Sequence, residues 1–203
     1  MSTLIPKSQY DQSNALITQA ILFAMGKHGS VKNKDGTIGQ RRKGSGLPYI
    51  VHPMEVWQIL RNNNCSTVVQ VAGLLHDTLE DTDTTPEEIK EQFGADVLAL
   101  VQTESEDKSK SWKERKQATL DALEKASIET KQVCCADKLS NCLAQLYDYN
   151  QIGDALFERF NKESTPELQG WYYKGIVKAL ASLKGMEMYS SLQKTVNQLY
   201  GDA

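Results

Sequence analysis

A histidine–aspartate pair ends one of the most apolar stretches of the chain. In "VAGLLHDTLEDT", the apolar residues lead directly into His76 and Asp77, and Glu80 and Asp81 follow one turn later. On a helix, His76 shares a face with Glu80, and Asp77 shares a face with Asp81. A divalent cation binds imidazole nitrogen and carboxylate oxygen together, and it offsets the cost of burying a carboxylate. The pattern therefore indicates a metal site beside this helix.

A structural role for the same residues is the alternative interpretation. His76 could be a hydrogen-bonded core histidine, and the three acidic side chains could form a solvated helix end. Negative charges near a helix C-terminus are disfavoured by the helix dipole, which weakens the second part of this interpretation.

Two other segments contain residues of the same chemistry. In "PYIVHPMEV", His52 lies at the start of a helix between Pro48 and Pro53, which restrict the backbone. In "VCCADKLSNCL", Asp137 follows a small, mostly apolar run, and Asn141 lies four residues further along the same face. Each residue alone could be structural. Together the segments predict a first shell of two imidazoles and two carboxylates, with positions left open for water: His52, His76, Asp77 and Asp137.

Helical periodicity runs through most of the chain and predicts the elements that carry these residues. Apolar residues recur at spacings of three and four between Ser13 and Lys27, and Pro53 is predicted to open the next helix. Ser66 or Thr67 is a candidate N-cap for the helix that carries the histidine–aspartate pair. Strand signals are weak and no long linker occurs. We therefore predict an all-α fold with a single domain over residues 1–203. Further helices are predicted after Thr85, from about Ser111, from about Glu129 to Tyr149, and in the tail.

Composition excludes several classes of protein. The chain has 203 residues and a net charge of −3, which argues against non-specific binding to nucleic acid. No run of about 18 apolar residues occurs, so no membrane span is predicted. The N-terminus does not resemble a signal peptide. The four cysteines include no C-x-x-C pair. They indicate reduced thiols and a cytoplasmic location.

Four motifs now carry a resemblance to a known family. The segments "RRKGSGLPYIVHPMEV", "GLLHDTLEDTDTTPEEIKEQFG", "DKSKSWKERK" and "ADKLSN" resemble the HD phosphohydrolase superfamily, whose pattern is H…HD…D. Within it, the chain is most similar to the hydrolase domain of RelA/SpoT-type enzymes and to the stand-alone small alarmone hydrolases. The resemblance covers about residues 13–185. It implies an HD-type helical bundle with a metal site in a central cleft.

The resemblance also implies an activity and roles for individual residues. The activity is the removal of the 3′-pyrophosphate from ppGpp or pppGpp, which gives GDP or GTP and pyrophosphate, with one Mn²⁺ ion as cofactor. His52, His76, Asp77 and Asp137 match the metal ligands. Glu80 and Asp81 match the pair that activates the attacking water. Candidate substrate-binding residues are Arg42 and Lys43 near the nucleotide, Ser45 in the same loop, Asn141 beside the metal, and Lys108 as a phosphate contact.

The chain departs from the family pattern in one place. Family members have a histidine a few residues before the basic pair, whereas thirteen residues separate His28 from Arg42. Residues 29–41 are therefore predicted to contain a loop insertion of about ten residues, which leaves the geometry of the basic pair open. The remaining length leaves no room for a synthetase domain. Two alternatives are an HD-type phosphatase for another nucleotide, such as NADPH, and a non-catalytic scaffold that binds a partner.

Overall fold

The computed structural model describes residues 6–102, 109–160 and 165–202, which fold almost entirely into helices. Only isolated antiparallel bridges, Lys32 to Ile38 and Arg41 to Pro48, occur in these ranges, so the predicted all-α fold is confirmed. None of the helices described there is both long and apolar enough to cross a membrane. The α-helices are α1 (Lys7–Gly29), α2 (Val51–Asn62), α3 (Thr67–Leu75), α4 (Thr78–Asp81), α5 (Pro86–Phe93), α6 (Ala95–Val101), α7 (Trp112–Lys125), α8 (Ile128–Ile152), α9 (Pro166–Ala179) and α10 (Glu187–Tyr200).

Helix α8 lies at the centre of the bundle and packs against α2, α3 and α10. Its middle section is buried from Val133 to Ala136, and Asp137 follows directly in the same buried turn. Helix α3 lies close to α2 because Gly73 has no side chain, and a Cβ at this position would collide with Leu60. The packing of α2, α3 and α8 therefore brings together the three segments that carry the candidate metal ligands.

Side-chain caps begin several helices where the sequence predicts them. The Ser66 hydroxyl accepts a hydrogen bond from Val69 N–H at the start of α3. Thr85 and Glu88 form a complete capping box at the start of α5, with Pro86 in the first turn. Such caps satisfy amide groups that have no partner within the helix. The local start signals are therefore confirmed.

The predicted start of α2 is wrong by two residues. The helix begins at Val51 rather than at Pro53, so His52 lies inside the first turn. Proline is tolerated there because the first amide groups of a helix have no partner within it. His52 is thus held by the helix itself and is buried, with 1% of its surface exposed.

The prediction of one continuous helix through the histidine–aspartate pair is also wrong. Helix α3 ends at Leu75, and α4 begins only at Thr78. His76 Nδ1 lies 2.9 Å from Gly73 O, and Thr78 Oγ1 donates to Leu75 O over 2.7 Å. These side chains bond to carbonyls that a continuous helix would offer to main-chain amides. Because of this interruption, His76 and Asp77 do not follow the regular spacing of a single helix.

The cysteines are all free and buried, as expected for reduced thiols. Burial raises the pKa of Cys65 to about 11 and that of Cys135 to about 12. A thiol with such a pKa is protonated at neutral pH and reacts slowly. Inert packing is therefore the role that the structure supports for these two side chains.

Candidate metal centre and active site

Four side chains from three helical segments converge at the centre of the bundle. His52 Nε2 lies 3.1 Å from Asp137 Oδ1 and 3.6 Å from Asp77 Oδ2. His76 Nε2 lies 3.0 Å from Asp77 Oδ2 and 3.7 Å from Asp137 Oδ1. Donor atoms of His52, His76 and Asp137 all lie within 4.8 Å of one another. The structure thus brings together all four side chains that the sequence predicts as ligands.

Hydrogen bonds on the outer nitrogen of each imidazole orient the two rings. Ser140 Oγ donates to Glu55 Oε2 over 2.8 Å, so its oxygen is left to accept a hydrogen bond from His52 Nδ1 over 2.9 Å. Gly73 O can only accept, so His76 Nδ1 also carries a proton. With Nδ1 bonded outside the cluster, Nε2 of each ring is the nitrogen that faces the carboxylates. Outer partners of this kind set the tautomer of metal-binding histidines.

The charges and donor atoms of the cluster suit a divalent cation. His76 Nε2 is buried and has no hydrogen-bond partner among the described residues, although carboxylate oxygens lie near it. Burial opposes charge on His76, but Asp77 and Asp137 together raise its pKa well above the ordinary value. The Lys138 ammonium lies 2.6 Å from Asp137 Oδ2. Two imidazole nitrogens and two carboxylates together form a typical ligand set for a transition-metal ion.

Further hydrogen bonds hold the two carboxylates. Tyr49 O–H donates to Asp77 Oδ2 over 2.5 Å. The pKa of Tyr49 is raised, mainly because the side chain is buried and also because the Asp77 charge lies beside it. Asn141 Nδ2 donates to Asp137 Oδ1 over 2.6 Å, and Arg42 donates in turn to Asn141 Oδ1 over 3.1 Å. The sequence alone favours simple packing for Tyr49 and does not reveal its contact with a ligand. The only local signal is its position three residues before His52.

A cavity of about 520 Å³ adjoins the cluster, and its lining has more basic than acidic side chains. Tyr49, Asp81 and Asn141 line it, and these residues lie on or beside the ligand-bearing segments. Arg159 is held at its wall by Asp148 over 2.5 Å. The lining also includes side chains that the sequence did not predict as site residues, among them Arg115, Arg159 and Trp112. The basic lining groups are Arg41, Arg42, Lys43, Arg115 and Arg159.

The other predicted site residues differ in where they lie. Arg42, Lys43, Asp81 and Asn141 line the cavity, whereas Glu80 is exposed and is not among the lining residues. Ser45 lies on the wall of a neighbouring, more apolar cavity, and its hydroxyl accepts from Leu47 N–H over 3.4 Å. The predicted contact at Lys108 lies outside the described residues.

The segment at residues 29–41, which the sequence predicts to contain a loop insertion, closes on itself. Gly39 N–H donates to Val31 O over 2.8 Å, and Gln40 N–H donates to His28 O over 2.9 Å. The loop thus leaves and returns at the end of α1. Arg42 then follows in a tight turn and reaches Asn141. The basic pair that follows this segment therefore lies at the cavity wall.

Comparison with known proteins identifies the family. A model of the HD domain matches residues 33–148, a range that contains all four converging side chains. The chain belongs to the HD domain family. The matched range includes the His76–Asp77 pair, which lies at the break between α3 and α4.

Members of the HD domain family that resemble this chain include named hydrolases. The guanosine-3′,5′-bis(diphosphate) 3′-pyrophosphohydrolase MESH1 of Danio rerio is 34% identical over 197 residues, which cover 93% of this chain and 94% of that protein. MESH1 of Homo sapiens is 40% identical over 129 residues, or 63% of this chain and 68% of that protein.

Solved structures show the same HD-domain fold. One is a metazoan ortholog of SpoT, described as a protein that hydrolyzes ppGpp and plays a role in starvation responses. Its TM-score against this chain is 0.68 at 28% identity, and the match covers 97% of this chain and 98% of the solved chain. The crystal structure of lmo0812 from Listeria monocytogenes also has a TM-score of 0.68, at 33% identity, and covers 73% of this chain and 98% of that chain.

The bond between His52 and Ser140 leads to a first testable prediction for this HD domain. Ser140→Ala removes the acceptor for His52 Nδ1 and leaves Glu55 without its serine donor. We expect metal affinity to fall roughly 10–100-fold, the usual effect of losing an outer partner of a ligand. Isothermal titration of the apoprotein with Mn²⁺ measures this change. Ser190→Ala, at an exposed position on α10, is the matched control, and equal affinities for the two variants would contradict the prediction.

Proposed function

We propose that the chain is a metal-dependent hydrolase that removes the 3′-pyrophosphate of ppGpp or pppGpp. The products are GDP or GTP and pyrophosphate. The observation that carries this proposal is a cluster of two histidines and two aspartates beside a basic cavity of about 520 Å³. The names and sequence similarity of the MESH1 proteins support the same activity. We further propose Mn²⁺ as the ion, and a cytoplasmic role in ending a stringent response.

The lining of the cavity suits a guanine nucleotide that carries several phosphates. Arg42, Lys43 and Arg115 supply positive charge at the wall, and an arginine can bind a phosphate through two parallel hydrogen bonds. Trp112 and Phe160 add aromatic surface to the same cavity. A compact, polyphosphorylated substrate with an aromatic base matches both features.

The reaction requires an ion for the phosphates and a group that takes a proton from water. His52, His76, Asp77 and Asp137 would hold the ion, which lowers the pKa of a bound water and neutralises phosphoryl oxygen. Asp81 lines the cavity one turn beyond Asp77 and is placed to orient the water or accept its proton. We assign Glu80 to the same step as the second carboxylate of the pair.

The Arg42 side chain is expected to contribute mainly to substrate binding. Arg42→Ala removes a charged donor that contacts Asn141 and lines the cavity. We expect KM to rise roughly 10- to 100-fold with little change in kcat, since a hydrogen bond to a charged group contributes about 1.5–3 kcal/mol. Steady-state kinetics on ppGpp measures both constants. Arg61→Ala is the matched control because Arg61 is exposed and stacks on Trp57, outside the cavity. An equal fall in kcat and kcat/KM would instead assign Arg42 to the transition state.

Product analysis tests the proposed function directly. Purified protein is incubated with ppGpp, with and without Mn²⁺, and the products are resolved by ion-exchange chromatography. Metal-dependent release of pyrophosphate and GDP is the expected result. Release of inorganic phosphate would show a phosphatase instead. If ppGpp stays intact while metal is bound, the proposal is wrong, and a panel including NADPH then tests the alternative substrate class.

A further inference from the structure

The Gln40 side chain connects the end of α1 to the candidate catalytic pair. Gln40 Nε2 lies 2.7 Å from Asp81 Oδ2, and Gln40 Oε1 lies 2.7 Å from His28 Nδ1. Gln40 also lines the basic cavity, whereas His28 is only 1% exposed. The family resemblance gives no role to either Gln40 or His28. The contacts form a chain from a buried histidine, through an amide, to a carboxylate at the cavity.

The chemistry of the partners sets the direction of these hydrogen bonds. A carboxylate only accepts, so the Gln40 amide nitrogen faces Asp81 and its oxygen faces His28. His28 Nδ1 must then carry a proton. Burial lowers the pKa of His28, which favours a neutral ring with a single proton. His28 Nε2 is buried without a hydrogen-bond partner in the described part of the chain, in agreement with a proton on Nδ1.

The main chain around Gln40 makes the amide a fixed support. Gln40 N–H donates to His28 O over 2.9 Å, and Tyr49 N–H donates to Gln40 O over 2.9 Å. The same Tyr49 donates its hydroxyl proton to the ligand Asp77. One loop therefore presents two donors side by side, the Tyr49 hydroxyl to Asp77 and the Gln40 amide to Asp81.

Asp81 needs such a support because its own element is short. It is the last residue of α4, which has only four residues, and its side chain is exposed. Among the described residues, the Gln40 amide is the only side-chain donor to the Asp81 carboxylate. A freely rotating carboxylate would spend only part of its time facing the cavity. The hydrogen bond from Gln40 restricts it to one orientation.

We propose that Gln40 is a positioning residue that holds the Asp81 carboxylate toward the cavity for the hydrolytic step, with His28 as its buried anchor. The proposal rests on the proposed function, because it assigns the group that orients Asp81. Holding a proton acceptor in its reactive geometry lowers the barrier to the chemical step without strengthening the binding of substrate. The expected signature is therefore a fall in kcat at nearly constant KM.

A double-mutant cycle tests the coupling. Gln40→Leu removes both hydrogen bonds at similar size, and we expect kcat to fall about 10-fold or more, with KM and Mn²⁺ affinity unchanged. In the Asp81→Asn background, Gln40→Leu should cause almost no further loss, because the carboxylate that it positions is already absent. His28→Phe, which keeps a ring against Tyr49 but removes the donor, should reproduce part of the loss.

The controls separate positioning from general damage to the fold. Gln117→Leu, at an exposed position on α7 where the amide donates to Asp121, should keep full kcat. If Gln40→Leu lowers kcat by the same factor in both backgrounds, or retains full kcat while Asp81→Asn is inactive, the positioning role is wrong. If Asp81→Asn itself keeps full activity, the positioning role is wrong while the hydrolase activity stands. If the wild-type protein never hydrolyses ppGpp, the proposed function fails first, so the two failures are distinguished.

Discussion

We expect His76→Ala to abolish both metal binding and hydrolysis, which is the largest effect expected of any substitution in this site. The substitution removes one of the two imidazole nitrogens from the cluster and leaves only His52 between Asp77 and Asp137. Losing an outer partner of a ligand already costs roughly 10–100-fold in affinity, so losing a ligand should cost more than about 100-fold. Turnover should fall with metal occupancy, and titration with Mn²⁺ measures the affinity independently of activity.

Thermal unfolding gives a second readout for the same prediction. A ligand that binds only the folded state at 100 times its Kd stabilises it by about 2.7 kcal/mol, roughly 5–10 °C in Tm for a chain of this size. Mn²⁺ should raise the Tm of the wild-type protein and of Asp83→Asn, an exposed carboxylate paired with Lys27. It should leave the Tm of His76→Ala and Asp137→Asn unchanged. A normal Mn²⁺ shift in either ligand variant would remove that residue from the metal site.

The four converging side chains could be predicted from the sequence because each lies in a short segment with its own chemical signal. His52 is placed between two prolines, His76 and Asp77 end an apolar run, and Asp137 interrupts one. Helical periodicity and local caps, such as Ser66 at the start of α3, predict the elements that carry them. Such signals depend only on neighbours in the chain, so they can be recognised before the fold is known.

Other parts of the site depend on contacts between distant segments and had no local signal. Arg42 and Asn141 are 99 residues apart in sequence, and Gln40 and Asp81 are 41 apart. The predicted helix across His76 failed for a related reason, since side chains bond there to the carbonyls that would continue the helix. Periodicity describes the repeat of a helix and contains no information on this competition.

Because α8 lies at the centre of the bundle, this one helix contributes to the His/Asp cluster, to the hydrogen bonds around it and to the cavity wall. Asp137 is a proposed ligand, Ser140 orients His52, and Asn141 links Asp137 to Arg42. One turn further on, Ala144 and Gln145 line the cavity. Because these positions recur every three or four residues, they share one face of α8. A substitution that rotates this face should weaken the binding of both the ion and the substrate.

Conversion of the acidic pair to amides is expected to separate metal binding from turnover. Glu80→Gln and Asp81→Asn keep the size of each side chain and remove the ability to accept a proton from water. We expect kcat to fall about 10²–10⁴-fold in each variant, the usual contribution of general acid–base catalysis, with Mn²⁺ affinity unchanged. Kinetics on ppGpp, with metal titration of the same preparations, measures both quantities. Matched controls are Glu87→Gln and Asp83→Asn, which change exposed carboxylates that do not line the cavity.

The two variants also assign the roles within the pair. Both side chains are exposed, but Asp81 lines the cavity and bonds to Gln40, whereas Glu80 is not among the lining residues. If only Asp81→Asn loses turnover, the proton passes to Asp81 and Glu80 is removed from the mechanism. If both lose turnover while both retain the ion, α4 reorients on substrate binding and brings Glu80 to the water. Loss of Mn²⁺ affinity in either variant would contradict the assignment, because the missing carboxylate would then have acted on the ion rather than on water.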